Sequence, residues 1–240
     1  MILGVIPARM ASTRFPGKPL ADIHGRPMLW HVYQRCLEAG CLDLVVIATD
    51  DLVIERACAD LGMGSIHARN DTGECLDCVA EVAKILPAER YIVIQGDEPL
   101  VPPEAIRMMA RTVYVPSCGY AECDDPMDGP DSNVPKVVAN EEGQAVYLSR
   151  SPVPFPKRRI MPMRFQVCVY AMDGEALRAF AGWEPGPVER QEGIGLLRFV
   201  ERRHPVWMIK VPPGPVSVDT PGDLERARKI MAPPGAPDAA

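Results

Sequence analysis

No run of this 240-residue sequence approaches the roughly 20 consecutive apolar residues that a bilayer-spanning helix needs. Its first residues, MILGVIPARM, carry neither a charged leader nor a long apolar stretch. No membrane association is expected from that pattern, and the cytoplasm is the expected compartment. Positive charge is also short, with 26 Lys and Arg against 32 Asp and Glu and a formal net charge of -6. A protein that grips nucleic acid shows a basic face or domain, so nucleic acid is not an expected partner. Histidine is scarce: of the four, His31 falls in a helical pattern and reads as a packing residue, and the others show no pairing. The eight cysteines have no disulfide-framework spacing, which makes reduced thiols the default. Cys75-x-x-Cys78 with Cys118-x4-Cys123 resembles a tetrahedral zinc set, but the second pair lacks the usual tight knuckle, and ordinary thiols are the favoured reading. No internal repeat is present.

What is present is an alternation of strand and helix signals. ILGVIPA, LDLVVIATD and YIVIQGDEPL are short apolar runs rich in β-branched residues, as strands covered on both faces are. Between the first two, RPMLWHVYQRCLEAGC places Met28, Leu29, Val32, Tyr33 and Leu37 at helical spacing, with Pro27 just inside the start and Gly40 at the end. DLVIERACADLG and CLDCVAEVAKILP are further helices, stopped at Gly62 and Pro87. The order predicts an α/β fold, a mostly parallel sheet with helices on both faces. VPKVVANEEGQAVYLSR reads as a hairpin, and with RFQVCVYAM it suggests a small inserted lobe over about residues 130–180 of a single domain spanning 1–230. ERQEGIGLLRFVERRH reads as one helix despite two glycines, VSVD as the end of a late strand, and TPGDLERARKIM as a final helix capped by Thr220. Residues 231–240 read as a disordered tail.

Ligands of open α/β sheets bind beyond the carboxyl ends of the strands. Arg9, Thr49, Asp50, Gln95 and Asp97 should therefore share one edge. PARMASTRFPGKPL, after the first run, has a P-loop's terminal Gly-Lys, but Pro19 stands where a hydroxyl should ligate magnesium, and Pro16 opposes the helix a P-loop feeds. What remains is an anion-binding loop with Arg9, Ser12, Arg14, Gly17 and Lys18. Asp97, after the third run, and Asp219 could hold Mg²⁺ between themselves and a polyphosphate. Together these residues point to transfer at phosphorus.

IPARMASTRFPGKPLADIHGRPMLWHV, VVIATDD, VIQGDEPLVPPEAI, NVPKVV, VYLSRSPVPFP and VDTPGDLERAR, in this order from residue 2 to about 230, resemble the CMP-Kdo synthetases (3-deoxy-manno-octulosonate cytidylyltransferases), within a wider group that includes the acylneuraminate cytidylyltransferases. The resemblance implies a three-layer α/β/α nucleotidyltransferase fold, a homodimer joined through the inserted lobe, and Mg²⁺-dependent transfer of CMP from CTP to a small acidic acceptor with release of pyrophosphate. Carried over by position, Arg9, Ser12, Arg14, Lys18, Thr72 and Asp77 would hold the nucleotide, with Arg9, Lys18 and Asp97 catalytic and Asp97 and Asp219 binding metal. Gln95, Arg150, Gln166, Tyr170 and Glu189 would face the acceptor.

TGECLDCVAEV has two extra residues and Cys78 where the family has arginine, a departure among otherwise intact nucleotide and metal elements. Three further departures fall on acceptor-facing parts: Gln166-x-x-x-Tyr170 replaces His-x-x-x-Tyr, the segment before it is short, and GPVE, ending in Glu189, stands for Ser-Pro-Leu-Glu. Two other readings therefore stand beside a Kdo-type acceptor: a compact phosphonate such as phosphonoformate, and a nucleotide-binding protein without catalysis.

Overall fold

The apolar runs without polar alternation must be covered on both faces, and the chain uses them at the centre of its sheet. The structure is a computed structural model and describes residues 1–12, 14–123, 133–155, 157–158 and 161–232. In chain order the elements are β1 (Ile2–Pro7), a 3-10 turn at Lys18–Leu20, β2 (Asp22–Ile23), β3 (Arg26–Pro27), α1 (Met28–Ala39), β4 (Leu44–Thr49), α2 (Leu52–Asp60), β5 (Ser65–His67), α3 (Cys75–Ile85) and β6 (Arg90–Ile94). There follow α4 (Pro103–Arg111), β7 (Ser117–Cys123), β8 (Lys136–Ala139), β9 (Ala145–Ser149), β10 (Met163–Met172), α5 (Gly174–Ala181), α6 (Pro187–Glu192), α7 (Leu197–Glu201), β11 (Trp207–Lys210) and α8 (Pro221–Ile230).

The main sheet runs β11-β7-β10-β6-β1-β4-β5. β1 pairs in parallel with β4 and β6, placing Val5 opposite Val46 and Val93, and β4 pairs in parallel with β5. On one face Leu3 and Val5 pack with Val79 and Val82 of α3, Phe180 of α5 and Phe199 of α7. On the other, Ile6 and Ile94 meet Leu29 and Val32 of α1, Ile54 of α2 and Met109 of α4. The result is the expected α/β/α layering. A third, smaller cluster joins Ile23 and Met28 to Leu100, Val218 and Leu224, fastening α8 and the segment before it beside the end of β6.

Three expectations need correction. β10 is not part of a lobe: it lies antiparallel between β6 and β7 in the main sheet, with Tyr170 opposite Val93, and α5 buries Leu177 and Phe180 in the core. The excursion is therefore narrower than residues 130–180, and its described part is the β8–β9 hairpin, hydrogen-bonded to β10 at Lys136–Phe165. The helix expected from residue 189 onward is two short ones, because Gly193 closes α6 in the left-handed region at φ 62°. Residues 216–219 form no sheet ladder; a single backbone bond, Val218 N to Asp97 O at 2.9 Å, ties them to the end of β6. The tail over 233–240 lies outside the described residues.

Candidate active site

The carboxyl ends of β1 and β6 open into a cleft of about 1260 Å³. Its lining includes Arg9, Ser12, Arg14, Lys18, Gln95, Asp97, Arg150, Gln166, Tyr170 and Asp219. The loop after β1 reaches it because Gly17, at φ 74°, turns the chain, donates its N–H to Met10 O, and starts the short turn that carries Lys18. Gly96 lets β6 pass close to β1: a Cβ there would lie 2.9 Å from Pro7 O.

Lys18 Nζ donates to Asp97 Oδ2 at 2.7 Å and approaches Asp219 Oδ1 at 3.4 Å. Arg14 Nη2 donates to the same Asp219 oxygen at 2.9 Å, and its Nη1 to Asn133 Oδ1. Burial pulls the Lys18 ammonium down, but the charges and hydrogen bonds of Asp97 and Asp219 outweigh it, so its pKa lies above the ordinary lysine value. Glu98, next along, is buried, and burial first and the Asp97 charge second push its carboxyl up to about 8. Ser12 Oγ accepts from Phe15 N at 3.3 Å and shapes the loop.

Arg9 lies across the cleft against Gly73: a Cβ at residue 73 would fall 2.2 Å from Arg9 Nη1. Among the described residues Arg9 has no ion-pair partner, which leaves its fork to an anionic ligand. Gly73→Ala is expected to displace that guanidinium, weakening nucleotide affinity about tenfold through one charge-assisted contact. Titration calorimetry against Arg9→Ala is the check: the two variants should match, and an unchanged dissociation constant in either would remove Arg9 from the site.

Magnesium is usually held by one or two carboxylates together with substrate phosphates. Asp97 Oδ1 is buried and takes no hydrogen bond, a state that an acceptor-only oxygen resolves by meeting a cation. Among the described residues no group of three or more His, Cys, Asp or Glu is arranged to hold a metal. Asp97 and Asp219 thus fit an ion that completes its shell from a ligand. The four zinc-candidate cysteines form no such group: Cys78 and Cys118 are buried, and the Cys78 thiol points to Ala68 O at 3.8 Å.

The far wall carries two amides and a phenol. Gln95 Nε2 donates to the Tyr170 hydroxyl at 3.0 Å and lies 3.8 Å from Cys75 Sγ. Gln166 Nε2 donates to the same hydroxyl at 3.0 Å and to Cys118 Sγ at 3.5 Å. Burial, reinforced by nearby thiols, pushes the Tyr170 phenol well above its ordinary value, so it stays neutral. Arg150 lines the cleft with its donors directed to backbone: Glu192 O at 2.7 Å, Asn133 O at 3.1 Å and Gly193 O at 3.1 Å.

Thr72, Asp77 and Glu189 do not line this cleft. Thr72 Oγ1 donates to Asp77 Oδ2 at 2.6 Å, and Asp77 and Glu189 both bind Arg198, at 2.9 and 2.7 Å. Arg198 is 2 % exposed and lies 3.8 Å from the Phe180 ring centroid. A carboxylate committed to a buried guanidinium is not free for a substrate. Thr49 and Asp50 also fall outside the cleft; Thr49 is buried and accepts from Asp51 N. Sequence reasoning missed Arg198, Asn133 and Glu74. Glu74 lies beside Gly195, where a Cβ would fall 2.4 Å from the Glu74 Cδ, a contact that only the fold reveals.

The sequence profile of the Cytidylyltransferase family matches residues 3–205. The chain belongs to the cytidylyltransferase family. Among its relatives in this family, a 3-deoxy-manno-octulosonate cytidylyltransferase of Solibacter usitatus is 39% identical, covering 96% of this chain and 94% of the relative. A cytidylyltransferase of the same description from Vibrio cholerae serotype O1 is 36% identical, covering 95% and 96%. The fold superposes with a TM-score of 0.89 on a CMP:2-keto-3-deoxy-manno-octonic acid synthetase complexed with CTP, which is 32% identical and covers 96% of this chain and 98% of that one. No helix among the described residues is long and apolar enough to cross a membrane.

Proposed function

We propose that this cytidylyltransferase joins CMP from CTP to a small acidic sugar of the 3-deoxy-manno-octulosonate type, with Mg²⁺, and releases pyrophosphate. The observation that carries it is the continuity of one cleft from the Lys18–Asp97–Asp219 centre to the Gln95–Tyr170–Gln166 wall. Each of those amides directs its N–H groups to Tyr170 and a thiol, so what remains for a ligand is a carbonyl acceptor. Such a wall suits the hydroxyl donors of a sugar. None of the relatives compared is described as acting on a phosphonate, and that acceptor is not carried further. Exposed Val146 of β9 supplies apolar surface for the homodimer proposed through the hairpin.

In the proposed reaction an acceptor hydroxyl gives up its proton to solvent and its oxygen forms a bond to the α-phosphorus, while the bond from that phosphorus to the bridging oxygen breaks and pyrophosphate departs with the electron pair. Bound at Asp97 and Asp219 with the triphosphate, Mg²⁺ supplies charge neutralisation and Lewis acidity at phosphate oxygens. Arg9, Arg14 and Lys18 meet the charge that grows on the leaving group, and the amide wall orients the acceptor, so positioning and electrostatics do most of the catalysis.

Pyrophosphate release measured with CTP, Mg²⁺ and a panel of acids tests the reading. Turnover with 3-deoxy-manno-octulosonate and none with phosphonoformate is expected. CTP binding without pyrophosphate release from any acid would replace it with a non-catalytic nucleotide-binding role.

A further inference from the structure

The metal candidates are occupied from within. Lys18 Nζ sits between Asp97 and Asp219, at 2.7 and 3.4 Å, and Arg14 shares the Asp219 oxygen at 2.9 Å. Lys18, Asp97 and Asp219 are all mostly buried, with side-chain exposures of 13, 20 and 17%. Two cations thus balance two carboxylates. At such separations and low solvent exposure the attraction is screened far less than on an open surface.

We propose that Lys18 is the resident counter-cation of the metal site. Its ammonium spans the two carboxylates that a divalent ion would bridge, holding them together while no ion is bound. A divalent ion arriving alone must compete with that ammonium and strand it in a partly buried place, which is unfavourable. A triphosphate arriving with the ion gives Lys18 and Arg14 new oxygens to bind, so both cations change partner as the metal takes the carboxylates. Metal and nucleotide binding are then positively coupled through these side chains, and by linkage each raises the other's affinity by the same factor. The proposal rests on the reading of Asp97 and Asp219 as metal ligands.

The test uses Mn²⁺ alone, followed by the loss of its free-ion electron paramagnetic resonance signal on titration with the full chain. The wild type is expected to bind Mn²⁺ weakly, Lys18→Gln about tenfold more tightly, within the usual range of coupled sites, and Lys18→Arg as weakly as the wild type. Asp97→Asn in the Lys18→Gln background should remove the gain. Wild-type and Lys18→Gln proteins binding Mn²⁺ equally well would overturn the counter-cation role while leaving the metal site intact. A gain in Lys18→Gln that survives Asp97→Asn would overturn it by placing the ion elsewhere, and would take the metal assignment with it. Circular dichroism of each variant separates these outcomes from loss of fold.

Discussion

Asp97→Asn is expected to lower CTP-dependent pyrophosphate release at least about a thousandfold, the scale of several kcal/mol of transition-state charge stabilisation. The substitution keeps the shape of the side chain and the backbone bond from Val218 N to Asp97 O, so the melting temperature should move by only a few degrees. What it removes is the charge that pairs with Lys18 and the buried oxygen that has no donor. The loss should appear in kcat at saturating CTP, because nucleotide contacts through Arg9 and Arg14 survive. Steady-state kinetics over a range of Mg²⁺ concentrations is the measurement. Turnover within tenfold of wild type would move the metal to other ligands.

Arg198→Met is expected to cost about 3–5 kcal/mol, since it leaves two carboxylates inside the protein without their cation. For a chain of this size that corresponds to a melting temperature lower by about 10 °C. Arg198 is the largest side chain sealed in the core, and its two partners come from different elements, Asp77 on the first turn of α3 and Glu189 on α6. Adding Asp77→Asn and Glu189→Gln to Arg198→Met should restore part of the loss, because the uncompensated charges go with it. If urea unfolding gave all three proteins the same stability, the buried ion pairs would not be what holds α3 to α6.

Both predictions concern residues that the sequence revealed unequally. Asp97 could be placed because strand ends converge in an open α/β sheet and a short apolar run marks its own end, and Lys18 because its loop follows the first strand; Asp219 reaches the same cleft from a segment outside the sheet. Arg198 could not be placed, since a guanidinium in a helix pattern looks the same whether it meets solvent or, as here, Phe180 and two carboxylates. Asp77 and Glu189 were misassigned for the same reason: their residue types fit a site, and only packing shows that they are already engaged. The placement of β10 was misread because proline-rich sequence before it suggested an excursion, whereas its Val169 and Ala171 pair with β6. The split of α6 from α7 was written in Gly193 and Gly195, and reading past the two glycines concealed it.

The bond from Val218 N to Asp97 O, and the cluster that clamps α8 beside it, also bear on how the protein is made. Arg14 and Asp219 are 205 positions apart, so their pairing closes nearly the whole chain. Every strand has been synthesised by Lys210, yet the second carboxylate arrives only afterwards. A nascent chain halted after β11 would lack Asp219, so the paired carboxylates of the cleft are complete only once that residue has been added. Long-range closure of this kind is slow compared with local helix formation, so this part of the cleft is expected to be completed late in folding.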